Sequence, residues 1–234
     1  AAMAARAGKD IYCEKPVAIT VREGRNVIEM CKRYGRIYQA GTQQRSEYGG
    51  KFRLVCDLVR NGRIGQLKEV YSYRMPGAFH PVPWTSDAEQ PVPAGLDWDM
   101  WLGPLYWRPY AGQPMGQAIP GCFIGDVNWA PHHYDIIQWI INPDPAGQIE
   151  VSYENGSIHY RYSNGVVVHA AGYPGERIGD EGGAVFVGPK GRIAVDRSNL
   201  VSYPAKILEE PLRPDDTRAY YSNSHSGNFL DCIR

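Results

Sequence analysis

The sequence predicts an α/β segment over residues 1–45, followed over residues 46–234 by an α+β domain with an open, mostly antiparallel sheet. Three observations carry this reading. The first forty residues alternate helix, strand, helix, strand, the order of a parallel sheet whose strands are joined by crossovers. From residue 147 the chain becomes a run of short strand-like segments separated by Asn-Gly, Ser-Asn-Gly and Pro-Lys-Gly, all hairpin signals. Between these two parts lie segments with helical apolar periodicity and a stretch rich in proline, glycine and aromatic residues.

Taken in order, residues 1–9 read as the tail of a helix and residues 10–13 as a short buried strand. In "TVREGRNVIEMCKRYG", Val21, Val27, Ile28, Met30 and Cys31 form an apolar stripe, with Thr20 placed to cap the start and Gly35 the end. "RIYQAG" supplies a second strand. Two strands do not make a stable sheet, so further strands are expected before Ala1. The Ala-rich opening and the closing "GNFLDCIR", an amphipathic helix without a cap, read as cut ends. "GGKFRLVCDLVRNGRIG" predicts a helix with Leu54, Val55, Leu58 and Val59 on one face, and "QLKEVYSYRM" a half-buried strand. Residues 76–124 are too aromatic for a disordered linker and read as a structured insertion. "WAPHHYDIIQWII" returns to helix, with Pro131 suited to its first turn. "QIEVSYE", "SIHYRYS", "GVVVHAAGY", "GGAVFVGP", "GRIAVDR" and "NLVSYP" are the closing strands.

Composition narrows the function. Twenty-five basic residues balance twenty-five acidic ones, which gives no electrostatic case for nucleic acid or an anionic membrane as partner. No window reaches the apolar length of a membrane span. "AAMAARAGKD" has no apolar core of a signal peptide, so a cytoplasmic location is the default, with any export signal upstream. The five cysteines are scattered and never spaced as CxxC, which fits reduced core thiols. Of the six tryptophans, Trp98, Trp101 and Trp107 cluster with Tyr110, flat amphipathic rings suited to a sugar or cofactor cleft and equally to an ordinary core.

Two places carry chemistry. In "KDIYCEKPVAIT" a short strand breaks onto Glu14 and Lys15 and is stopped by Pro16. Proline fixes its own φ and biases the residue before it towards an extended conformation, so Lys15 is held on a stiff tether at a strand end. A solvated charge pair at a turn has the same sequence. In "GDVNWAPHHYDIIQW", a helix beginning near Pro131 puts His132 on the apolar face with Asp135, Ile136 and Trp139. Burial and a helix N-terminus lower a histidine pKa, while a nearby carboxylate raises it. A neutral imidazole suits a general base; a structural core histidine is the alternative. His133 points elsewhere, as a cap or as a group near the substrate. No metal is expected, because paired histidine ligands on a helix stand four apart rather than adjacent.

"GKDIYCEKPVAIT", "GTQQRS", "LDWDMWLGP", "WAPHHYDIIQW" and "NFLDCIR", in that order, resemble the glucose–fructose oxidoreductase/inositol dehydrogenase/rhizopine catabolism (Gfo/Idh/MocA) family, in its bacterial branch. The resemblance implies that residues 1–45 end a Rossmann dinucleotide-binding domain and that residues 46–234 form a substrate and oligomerisation domain. It implies hydride transfer between a sugar or polyol carbon and NAD or NADP, in a homo-oligomer built through the C-terminal sheet. Lys15 would hold the reacting hydroxyl, His132 would accept its proton, and Glu14, Pro16, Gln43 and Arg45 would lie towards the cofactor. The family carries an acidic residue four positions before that histidine. Asn128 stands there instead and can orient groups but not tune a pKa by charge, with Asp126 placed to compensate. Trp98, Trp101, Trp107, Tyr110, Asp126 and His133 are the substrate candidates. The glycine-rich phosphate loop is not in this chain. Two alternatives stay open: a relative that cleaves glycosides by oxidation, elimination and reduction, and a non-catalytic sugar-binding or oligomerising module.

Overall fold

The computed structural model describes residues 1–18, 20–72, 89–103, 107, 109–112, 130–142, 147–175, 178 and 183–234. Helix α1 (Ala2–Arg6) leads to strand β1 (Ile11–Cys13), helix α2 (Val21–Tyr34) and strand β2 (Tyr38–Ala40). The two strands pair in parallel, Ile11 opposite Tyr38 and Cys13 opposite Ala40. Helix α2 begins and ends where its sequence requires. Thr20 accepts from the Glu23 amide while Glu23 reaches back to the Thr20 amide, a capping box. Gly35 closes the helix in the left-handed conformation at φ 58°.

The expected stripe on α2 is only partly buried. Cys31 is buried and Val27 and Met30 pack beside it, but Val21 and Ile28 are exposed. Two three-residue strands and a short helix are narrower than the stripe, so its flanks line an apolar groove with Ile37 and Tyr38. Cys31 and Cys56 are buried thiols as expected, whereas Cys232 is exposed.

After a short 3-10 segment, Gln43–Arg45, helix α3 (Lys51–Arg60) precedes strand β3 (Glu69–Tyr71). Helix α4 (Trp98–Leu102) is the described helix of the aromatic stretch, and helix α5 (Ala130–Ile141) starts with Pro131 in its first turn. Strands β4 (Ile149–Glu154), β5 (Ser157–Tyr162), β6 (Val167–His169), β7 (Ala184–Gly188), β8 (Gly191–Val195) and β9 (Leu200–Tyr203) follow, then short helix α6 (Lys206–Glu209) and helix α7 (His225–Ile233). All six closing strands form where the turn signals place them. The second sheet runs β4-β5-β6-β3-β7-β8-β9. Every pairing in it is antiparallel except β3 with β6.

Helices α3 and α5 cover one face of this sheet. Phe52, Val55 and Leu58 of α3 and Ile136, Ile137 and Ile140 of α5 meet Val70, Val168, Phe186 and Ile193 in one core. Alternation along β3, β5, β7 and β8 sends every second residue into that core, whereas Ile149, Val151 and Tyr153 of β4 are exposed. Asp57, fully buried on α3, accepts from the Ala219 amide at 2.6 Å and from Arg53 at 3.1 Å, so one carboxylate ties the segment before α7 to the core. Helix α7 returns to the first sheet: Gln39 donates to the His225 carbonyl at 2.6 Å, and Tyr12 meets His225 and Phe229 edge-on.

Replacing Asp57 by alanine strands the buried Ala219 amide and the Arg53 guanidinium. The expected loss is about 2–3 kcal/mol of unfolding free energy, read as a lower urea midpoint. A midpoint equal to the parent's would show that the segment before α7 is held by other contacts.

Candidate active site

Lys15 and Glu14 lie immediately past the C-terminal end of β1, and Gln43 just past that of β2. Ligands of α/β sheets bind at that edge of the strands. Glu14 does not swing freely. Gln43 Nε2 donates to Glu14 Oε1 at 2.6 Å and to the Tyr12 hydroxyl oxygen at 3.1 Å. The carboxylate rests over Gly41, where a Cβ would meet both its oxygens, so a larger residue at 41 would displace the Glu14 carboxylate. Lys15 is half-buried, and the Lys15–Pro16 peptide is cis; Pro16 itself is exposed.

His132 occupies the first turn of α5 and is 7% exposed. Its Nδ1 is buried and makes no hydrogen bond among the described residues. Burial pushes its pKa down to about 4, and the charges of Arg197 and Lys15 push in the same direction. The imidazole is therefore neutral near pH 7, as a general base must be. The carboxylate expected to act on it does not. Asp135, one turn along, is taken by Arg45 in a bidentate pair of 2.7 and 2.8 Å. The Arg45 guanidinium also lies 5.0 Å over the Trp139 ring. Arg45, expected to lie towards the cofactor, thus clamps the segment after β2 to α5.

Arg197 was not foreseen. It sits in the turn between β8 and β9, which Asp196 shapes by accepting from the amides of Ser198 and Asn199. Its Nη2 donates to Oε1 of the buried Gln44 at 3.2 Å, and its guanidinium lies 5.0 Å over Tyr48. The sequence signals a turn at this point, but nothing local says that the turn reaches the helix carrying His132.

The remaining candidates are placed as follows. His133 is fully buried, with Nδ1 2.7 Å from the Ser72 hydroxyl. Trp98 is buried, stacks on Trp101 at 4.9 Å and meets Tyr110 edge-on, so these rings pack one another. Trp107 is 68% exposed. Asn128 and Asp126 lie outside the described residues. No group of three or more histidine, cysteine, aspartate or glutamate side chains is placed to hold a metal among the described residues, and no described helix is long and apolar enough to cross a membrane.

The first strand–helix–strand unit is a parallel α/β unit with charged groups at its C-terminal edge. Residues 1–42 match the model of the oxidoreductase family with an NAD-binding Rossmann fold. Over those residues the chain is similar to the Gfo/Idh/MocA oxidoreductases. It is 25% identical over 155 residues to 1,5-anhydro-D-fructose reductase of Ensifer adhaerens, an alignment covering 65% of this chain and 37% of that one. Two solved structures share the fold at a TM-score of 0.53. One is aldose-aldose oxidoreductase from Caulobacter crescentus complexed with glycerol, 17% identical, covering 99% of this chain and 64% of that one. The other is the WlbA dehydrogenase from Bordetella pertussis in complex with NADH and UDP-GlcNAcA, 18% identical, covering 100% of this chain and 63% of that one. The chain thus spans a little over a third of the curated relative's length and under two thirds of each of these solved chains.

A histidine whose folded pKa lies below its unfolded value binds fewer protons folded than unfolded. Stability is therefore unaffected by His132 above about pH 6.5 and falls as pH drops from there towards 4, where the loss levels off. In an NMR titration His132 should stay neutral to below pH 5. Lys15→Met and Arg197→Met should each raise its midpoint, Arg197→Met by more. Midpoints that do not move in either variant would mean that these cations do not face the imidazole.

Proposed function

We propose that this chain forms the reacting end and substrate domain of an NAD- or NADP-dependent dehydrogenase acting on a sugar or polyol hydroxyl. The observation that carries the reading is a buried histidine at the start of α5, unpaired among the described residues, whose pKa is lowered by burial and, in the same direction, by the charges of Arg197 and of Lys15 at the end of a parallel strand. The family-model match over residues 1–42 and the likeness to a sugar reductase support it. The edge beyond β1 and β2, with Glu14 fixed over Gly41, fits the reacting end of a nicotinamide.

In this reading the Lys15 ammonium donates a hydrogen bond to the reacting hydroxyl oxygen and stabilises the negative charge that grows there. His132 accepts the hydroxyl proton, which a neutral imidazole can do and an imidazolium cannot. A nicotinamide held beside Glu14, Pro16 and Gln43 would supply the two-electron acceptor for the hydride of the carbon that bears this hydroxyl. Arg45 positions α5, and hence His132, through Asp135. Glu14, Pro16 and Gln43 border the cofactor, and Asn128, Asp126 and the exposed Trp107 remain candidates for substrate contact. The face of the large sheet opposite α3 and α5 is the proposed contact between copies in a homo-oligomer.

The test is turnover by the intact natural protein, followed as nicotinamide reduction with a panel of sugars and polyols. Lys15→Ala should lower kcat by about 10²–10³, the usual cost of one preorganised donor. His132→Ala should lower it by about 10²–10⁴. Undiminished turnover in both variants would exclude the mechanism.

A further inference from the structure

The end of α5 remote from His132 closes a cavity of about 440 Å³, within the range of roughly 300–1,000 Å³ that small-molecule sites occupy. The C-terminal turns of α3 and α5, the approach to β3 and the turn between β5 and β6 meet there. Ile140 and Val166, on its apolar floor, belong to the core between helices and sheet, so packing sets the wall. Gln66, Asn142, Asn164 and Thr217 bring amide and hydroxyl groups to the lining. Two of these are held in place. Asn164 accepts from the Val166 amide at 3.1 Å, and Asn61 holds the Thr217 backbone through two hydrogen bonds of 2.8 and 2.9 Å.

Among the described residues that line the cavity Arg60 carries the charge, and none is an aspartate or glutamate. Arg60 is half-buried. A guanidinium cannot give up its proton in a protein, so its burial is favourable only where acceptors surround it. Few do. Nη2 donates to the Trp139 carbonyl in the last turn of α5, a cation at a helix C-terminus. Nε is buried and makes no hydrogen bond, and Nη1 makes none to the described residues. Asp57, three residues earlier on α3, gives its carboxylate oxygens to Arg53 and the Ala219 amide instead. Capping of α5 therefore accounts for one nitrogen of three.

We propose that this cavity binds a small polyhydroxylated carboxylate of the sugar-acid type, with the carboxylate on Arg60. One cation suits a singly charged group, whereas phosphate is characteristically met by helix N-termini or several cationic donors. The C-terminal end of α5 adds negative potential, which disfavours a second charge. The amides and the Thr217 hydroxyl match the hydroxyl groups of such a ligand, and the apolar floor matches its carbon chain. Roughly 18 Å of helix, at 1.5 Å per residue, lies along α5 between the two ends. The cavity is thus distinct from the site at His132, and the inference is independent of the dehydrogenase reading.

The experiment is a calorimetric titration of the full chain with D-gluconate, compared with neutral D-glucitol and inorganic phosphate. Gluconate should bind saturably at one equivalent and more tightly than either. Arg60→Met should weaken that binding about 10–100-fold, the usual range for hydrogen bonds to a charged group. Asn164→Asp keeps the acceptor for the Val166 amide but puts a negative charge on the lining, and should also weaken binding. It covers the case of an Arg60 variant that does not fold. Lys15→Met should leave binding unchanged, which separates the cavity from the candidate active site. Three results would each overturn the proposal: no saturable binding, glucitol or phosphate bound as tightly, or binding that survives Arg60→Met.

Discussion

The Arg45–Asp135 pair is the interaction on which the site depends. One partner follows the strand that ends the parallel pair; the other stands on α5, ninety residues later, one turn from His132. A bidentate guanidinium–carboxylate contact fixes orientation as well as distance, which a lysine could not do. Trp139 under the guanidinium restricts it further. In energy such a partly exposed pair contributes on the order of 1 kcal/mol or less. Its importance is geometric: it relates the segment that follows β2 to the helix carrying His132.

A second tie runs through α7. His225 donates from its backbone amide to Glu47 at 3.0 Å, and its Nε2 lies 2.8 Å from the Ala40 carbonyl, which assigns that nitrogen the proton. Nδ1 then accepts from Ser46, a long contact at 3.4 Å. The last helix therefore packs on the first two strands, and Asp57 secures the segment that leads to it. Chain order and spatial order differ here, so residues 225–233 share a neighbourhood with residues 11–47.

Local features were legible in the sequence. Thr20 and Gly35 delimit α2 because capping is chemistry within one turn, and the hairpin strands emerged because Asn-Gly and its kin act over four residues. The burial of His132 followed from helical periodicity. What the sequence did not disclose is long-range. Nothing in "KEVYS" places β3 between β6 and β7, and nothing in "VDRSN" sends Arg197 to His132. The exposure of Val21 and Ile28 depends on how wide a surface the neighbouring strands offer, which periodicity does not encode. The carboxylate at Asp135 was seen, but its partner was not, because the choice between His132 and Arg45 is made by tertiary contact.

The position of β3 bears on how the chain is made as well as on how it rests. Val70 is hydrogen-bonded into a sheet whose other members, at Val168 and Phe186, emerge from synthesis about a hundred residues later. At roughly 5–20 residues per second the ribosome takes about 5–20 seconds to deliver them. During that interval β3 has both edges unpaired and the apolar face of α3 has no sheet to cover it, the circumstance in which nascent chains recruit chaperones. The central strand of the seven-stranded sheet is thus the first of the seven to appear and waits for both its neighbours.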